Sequence, residues 1–115
     1  MGFQSVSIFL CLSLSASAAM ADAFQFSRIL PVGGHYEQCL KVDAGHSLGW
    51  RFGASQSLAF NVHSHPDDEI VYHVRNETGS DEGSFQSPRS GVYCVMWENN
   101  SQQPSDLEGI LTPAR

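Results

Sequence analysis

Residues 60–74, FNVHSHPDDEIVYHV, contain side-chain types that bind transition metals. His63 and His65 lie two positions apart, and the acidic residues 67–69 separate them from His73. On a β-strand, two positions correspond to about 6.5–7 Å between Cα atoms on one face, from which two imidazoles can converge on one ion. Neutral imidazole is a good ligand for Cu(II), Zn(II) and Ni(II). The segment therefore predicts a metal site, with copper or zinc as the ion.

Strand alternation extends this prediction to the third histidine. Side chains on a strand alternate between faces, so His63 and His65 are expected opposite the core-facing Val62. A hairpin turn at residues 66–69 would place His73 nearly opposite His63 on the neighbouring strand. All three histidines are therefore expected on one outer face of a hairpin.

Other residues are candidates for completing the metal site. Asp67, Asp68 or Glu69 could bind the metal directly, or could fix an imidazole tautomer by hydrogen bonding to the ring nitrogen that does not bind the metal. The thioether of Met96 suits Cu(I), whereas neighbouring Trp97 is expected to pack in the core. The predicted metal ligands are His63, His65, His73, Asp67, Glu69 and Met96.

Two interpretations of the hairpin without a metal stay open. Residues 66–68 have ordinary turn chemistry, so the histidines could simply belong to a polar, solvent-exposed hairpin. Clustered imidazoles could also respond to pH, because they gain charge between about pH 5 and 8. We do not expect an enzyme, since the sequence contains no nucleophile elbow, glycine-rich phosphate loop or HExxH motif.

Charge further limits the partners. Twelve acidic residues against six lysines and arginines give a formal net charge of −6. This balance disfavours nucleic acid, whose phosphates need a basic surface, and it disfavours an anionic membrane surface. The expected partner is a metal ion or a protein.

The first 21 residues resemble a secretory signal peptide. A short apolar run at residues 8–14 is followed by small residues and an Ala19-Met20-Ala21 cleavage pattern. The run is too short to span a bilayer. We therefore predict a mature domain at residues 22–115, periplasmic or secreted, with no membrane insertion. Two cysteines then remain, Cys39 and Cys94, which in an exported protein indicate a disulfide first and a pair of metal-binding thiolates second.

Short apolar runs recur every eight to twelve residues, separated by turn residues, and this spacing predicts an all-β sandwich. Residues 53–55 are expected to be a turn between two strands, and residues 76–83 a polar connection. The predicted strands are residues 26–30, 36–42, 48–52, 58–65, 70–75, a short one at Phe85, 92–98 and 107–111.

The segment SGVYCVMWENNS, residues 90–101, resembles the late strand of the GOLD (Golgi dynamics) domain family. The tryptophan-bearing run LGWRF and the following LAFNV occur in the family's order, and the likeness covers residues 36–111. The resemblance implies a small antiparallel β-sandwich of jelly-roll type, a disulfide between Cys39 and Cys94, and protein binding. We expect a free-standing exported domain without the coiled coil and membrane helix of the family's cargo receptors.

These observations predict an exported, non-catalytic binding domain. The first hypothesis is that it binds copper or zinc through the histidine face of residues 60–74. The alternative hypothesis is that it is a GOLD-like protein–protein interaction module with no metal.

Overall fold

A computed structural model describes residues 23–114, most of which form antiparallel β-strands. The predicted all-β class is confirmed, while the predicted signal peptide lies outside the described residues. The strands are β1 (Phe24–Leu30), β2 (His35–Val42), β3 (Ser47–Ser64), β4 (Val71–Gln86), β5 (Gly91–Glu98) and β6 (Ser105–Ala114). Over this range of the chain, no helix is long and apolar enough to cross a bilayer.

Strand β3 is the central element, and its length corrects the sequence prediction. Residues 53–55 are not a turn: β3 runs for 18 residues through a register irregularity between Gly53 and Leu58. Its first half pairs with β6 and its second half with β5, so the irregularity lets one strand bend from one half of the fold into the other. Strand β4 follows β3 along both halves, which is why residues 76–83 are also strand.

The strand order is β1-β6-β3-β5-β2, with β4 paired to β3. The two halves of this curled sheet enclose an aromatic core around Trp97, which is 0 % exposed and, as predicted, a packing residue. The ring centroid of Trp97 lies 4.9 Å from that of Phe26 on β1 and 5.4 Å from that of Phe52 on β3. Large aromatic side chains bury much apolar area, so this cluster joins the two halves.

A disulfide and the hydrogen bonds of one buried asparagine link the strands. Cys39 and Cys94 lie directly opposite each other on β2 and β5 and form the predicted disulfide. Buried Asn99, just after β5, donates from Nδ2 to the carbonyl oxygens of Leu30 at 3.0 Å and Gln103 at 2.8 Å. Its Oδ1 accepts from the backbone N–H of Ser101 at 3.0 Å, so one side chain connects the end of β1 to the loop before β6.

Candidate functional site

Three neighbouring strands bring potential ligands together on one outer face. Cys94 on β5 lies opposite Cys39 on β2 and opposite His63 on β3. Glu37 and His65 are each two positions from a member of this row, so they share its face. We call the group Glu37, Cys39, His63, His65 and Cys94 the histidine–disulfide cluster.

The ligand atoms of this cluster are close together. One atom each from His63, His65 and Cys94 lie within 4.8 Å of one another, as do one atom each from Glu37, Cys39 and Cys94. Both sulfur atoms are held in the disulfide. In this oxidised state the two imidazoles and the Glu37 carboxylate are therefore the groups able to bind an ion.

His63 is the buried centre of the cluster, with 5 % of its surface exposed. Its Nδ1 lies 2.6 Å from Oδ1 of Asn61, and its Nε2 lies 3.0 Å from Oε2 of Glu37. Both oxygens accept hydrogen bonds, so a ring that satisfies both must carry a hydrogen on each nitrogen. A neutral ring that donates from Nδ1 to Asn61 instead turns an Nε2 lone pair toward Glu37, an arrangement suited to a cation between them.

The electrostatic surroundings of His63 act in opposite directions. Burial lowers the pKa of the His63 imidazole below its ordinary value of 6.5, and the Glu37 carboxylate opposes this by raising it. The neighbouring His65 ring, whose centroid lies 4.9 Å away, lowers the same pKa. Because burial is the largest influence, the neutral ring that can bind a metal is favoured near neutral pH.

Solvent reaches the cluster through an open cleft of about 800 Å³. The turn at Pro66 and Asp67 forms one side of the cleft, and the segment from Arg89 to Val92 forms the other. Glu37, Cys39, His65 and Cys94 also line it. An ion or a side chain of a partner can therefore approach the disulfide and His65 directly.

His73 does not lie on this face, which corrects the expectation that all three histidines share it. Val62 pairs with Val74, but the next residue, His63, pairs with Tyr72, so His73 is an extra residue in a bulge. A one-residue change of register moves a side chain to the opposite face of a sheet. Tyr72 therefore occupies the place beside His63, with 6.0 Å between the ring centroids.

The inner surroundings of His73 confirm this placement. Its Nε2 lies 2.8 Å from Oγ of Ser64, and its ring packs 4.8 Å from Phe85 and 5.3 Å from Tyr93. Burial, and secondarily the nearby His63, lower the pKa of His73. This histidine is part of the packed interior of the hairpin.

The remaining predicted ligands are spread around the cluster. Among the described residues, the groups close enough to share an ion include neither Asp67 nor Glu69, which are exposed in and after the turn. Met96 pairs with Glu37 on β2 and with Asn61 on β3. It lies two residues after Cys94 on β5, so it is on the same face as the cluster. The sequence analysis assigned no role to Glu37; the signal that could have found it is its position two residues before Cys39, which puts both side chains on one face of a strand.

The turn beside the cluster combines acidic residues with exposed apolar side chains. Asp67 and Asp68 have φ angles of 54° and 64°, in the left-handed region that residues other than glycine rarely adopt. Immediately after them, Ile70 is 55 % and Tyr72 is 45 % exposed. The turn therefore places two acidic residues next to a segment with two exposed apolar side chains.

Within residues 23–114 all strand pairs are antiparallel, and a disulfide lies beside His63 and His65 on one face. No protein-family model matches the chain, and no curated protein matches it. The chain is similar in fold to the crystal structure of Aeromonas hydrophila PliG, a periplasmic lysozyme inhibitor of g-type lysozyme. The TM-score is 0.63 at 16 % identity, covering 90 % of this chain and 93 % of PliG.

A second solved structure, a protein of Sulfurospirillum deleyianum, is similar at a TM-score of 0.53 and 9 % identity, covering 83 % of this chain and 99 % of that one. At these identities the likeness concerns the fold alone. The resemblance to the GOLD family stays a prediction.

Proposed function

We propose that this chain is an exported, non-catalytic protein that binds another protein, and more specifically that it inhibits a lysozyme of the g type. One observation carries the proposal: the fold follows that of PliG, a periplasmic lysozyme inhibitor of g-type lysozyme, over 90 % of this chain and 93 % of that one. The Cys39–Cys94 disulfide supports export, since disulfides persist in oxidising compartments.

The surface of the chain supports a protein partner of opposite charge. A formal net charge of −6 favours a basic partner, because complementary charge accelerates association and disfavours wrong partners. The acidic turn at Asp67 and Asp68 would meet basic groups, while exposed Ile70 and Tyr72 would supply apolar contacts. We therefore place the proposed contact on residues 67–72.

The test is inhibition of a purified g-type lysozyme by the oxidised mature chain, measured by clearing of a cell-wall suspension. We expect stoichiometric loss of lysozyme activity, and a one-to-one complex by titration calorimetry. The combined change Asp67→Asn and Tyr72→Ala should weaken inhibition at least about tenfold, the cost of a contact worth roughly 1.4 kcal/mol. The matched control Glu77→Gln changes an exposed acid elsewhere on β4 and should leave inhibition unchanged. Absence of both inhibition and complex would refute the lysozyme proposal.

A second candidate function is copper or zinc binding, favoured by the approach of the imidazoles of His63 and His65 and the Glu37 carboxylate. It is tested by titrating the oxidised chain with Cu(II), Cu(I) and Zn(II). Sub-micromolar binding of one ion, lost in the His63→Ala/His65→Ala variant but kept in His46→Ala, would support it. Binding that is weak, or equal in both variants, would eliminate it.

A further inference from the structure

We propose that reduction of the Cys39–Cys94 disulfide converts the histidine–disulfide cluster into a zinc site with two thiolate and two imidazole ligands. The ligands are Cys39, Cys94, His63 and His65. This inference is independent of lysozyme inhibition, and it does not require the oxidised chain to bind metal.

The distances in the cluster carry the proposal. Zn–S bonds of about 2.3 Å and Zn–N bonds of about 2.0–2.1 Å in a tetrahedron set neighbouring ligand atoms roughly 3.3–3.8 Å apart. The sulfur of Cys94 and ligand nitrogens of His63 and His65 already lie within 4.8 Å of one another. Because Cys39 lies directly opposite Cys94 in the ladder, its sulfur remains next to that of Cys94 after the bond is broken. Closing the tetrahedron then requires a side-chain rotation that brings the sulfur of Cys39, which is close to that of Cys94, toward the two imidazoles.

Oxidation state decides which ligands are available. A disulfide sulfur carries no negative charge and is a poor zinc ligand, so the oxidised cluster offers two imidazoles and a carboxylate. Reduction adds two thiolates, the ligands that recur with histidine in structural zinc sites. Asn61 assists in both states, because accepting a hydrogen bond from Nδ1 of His63 leaves Nε2 for the metal.

The fold also gives a reductant access to one particular sulfur. Both cysteines line the open cleft, but Cys39 is exposed, whereas Cys94 is only 4 % exposed. A thiolate of a dithiol reductant attacks Sγ of Cys39, and the sulfur–sulfur bond breaks with Cys94 leaving as a thiolate beside His63. The second thiolate of the reductant then attacks the mixed disulfide and releases the thiolate of Cys39.

The step is balanced. The dithiol is oxidised to its own disulfide, and its two electrons reduce the protein disulfide. The two protons of the dithiol pass to the protein thiols when zinc is absent. They pass to solvent when zinc binds both thiolates.

The test compares zinc affinity before and after reduction with a phosphine, which unlike a dithiol does not compete strongly for zinc. A chromophoric chelator reports the free zinc. We expect one zinc ion per reduced chain, bound at least about 100-fold more tightly than by the oxidised chain. Co(II) added to the reduced chain should give thiolate-to-cobalt charge-transfer absorption, and Co(II) added to the oxidised chain should not.

Variants separate this site from the oxidised metal site considered above. The Cys39→Ser/Cys94→Ser chain should show neither the gain in zinc affinity nor the cobalt absorption, and His63→Ala should weaken zinc binding by the reduced chain. His46→Ala, outside the cluster, should retain it. If the reduced chain loses its fold, circular dichroism should show that one equivalent of zinc restores it. Equal affinities in the two oxidation states, no thiolate absorption, or no refolding with zinc would each overturn the proposal.

Discussion

Nε2 of His63 lies 3.0 Å from Oε2 of Glu37, which joins a buried imidazole to a carboxylate across neighbouring parts of the sheet. The His63 side chain is 6 % exposed, whereas the Glu37 side chain is 35 % exposed, so the contact joins a buried ring to a carboxylate at the surface. The contact partly offsets the desolvation of the ring, because the Glu37 carboxylate raises the pKa of His63.

Replacing Glu37 with glutamine should lower the pKa of His63 further below 6.5. Burial already lowers this pKa, and the carboxylate is the largest influence that raises it, so its removal leaves burial unopposed. Nuclear magnetic resonance titration of the His63 ring measures the change. Glu108→Gln, on an exposed part of β6, serves as the control. An unchanged or higher pKa in Glu37→Gln would show that the carboxylate does not interact with the ring in solution.

The chain should become less stable as the pH falls through 6.5, partly because of His73. Burial lowers the pKa of His73 in the folded state, so between that value and the ordinary 6.5 the unfolded state takes up the proton first. The free energy of unfolding therefore rises with pH in this window. Urea unfolding at a series of pH values measures the free energy of unfolding. This free energy should change less steeply with pH for His73→Gln than for the unchanged chain. The exposed His35, replaced in the same way, should leave the slope as it was.

Replacing Asn99 with alanine should destabilise the fold by about 2–4 kcal/mol, because several buried hydrogen bonds are lost and carbonyl groups are left without a partner. The Nδ2 group bonds the carbonyl of Leu30 at 3.0 Å and that of Gln103 at 2.8 Å. The neighbouring Asn100 is exposed, so its change to alanine should stay within about 0.5 kcal/mol. Urea midpoints measure both variants, and similar values for the two would contradict the assigned role.

Gly109 on β6 should not tolerate alanine. An added Cβ would lie 2.6 Å from the carbonyl oxygen of Arg51, 2.6 Å from Cζ of Phe26 and 2.8 Å from Cβ of Phe52. Relieving these contacts requires movement of backbone and core, at about 1–3 kcal/mol. At Gly53 a new Cβ meets nothing within 4 Å, so Gly53→Ala is the matched control. Thermal unfolding of both variants measures the effect, and Gly109→Ala should have the lower midpoint temperature. Equal midpoint temperatures would exclude close packing at Gly109.

The local features of this fold could be predicted from the sequence. Apolar runs between turn residues indicated an all-β chain, and the cysteine pair indicated the disulfide. The alternation around Trp97 placed that residue in the core. These inferences depend on the spacing of apolar runs, on a two-residue alternation or on a single cysteine pair. All of these patterns are visible without knowing which strands are neighbours.

The features that were missed depend on neighbours distant in the chain. The small residues Gly53 and Ala54 resemble the start of a turn, yet they are strand: Gly53 pairs with Ser80 on β4 and Glu108 on β6, and Ala54 pairs with Leu107 on β6. The bulge at His73 adds one residue to a ladder, and no local pattern reveals it. Glu37 reaches His63 only because β5 lies between their strands in a fixed register, which the sequence does not contain.

The pairing of β1 with β6 has a consequence for how the chain folds. Phe24 lies opposite Leu111 and Leu30 opposite Ser105, so the first strand of the described chain finds its ladder partner only in the last one. Pairing strands that are distant in the chain requires the loss of loop-closure entropy before stabilising contacts form, and this slows folding. A chain emerging from the ribosome therefore cannot complete this sheet until β6 has been made.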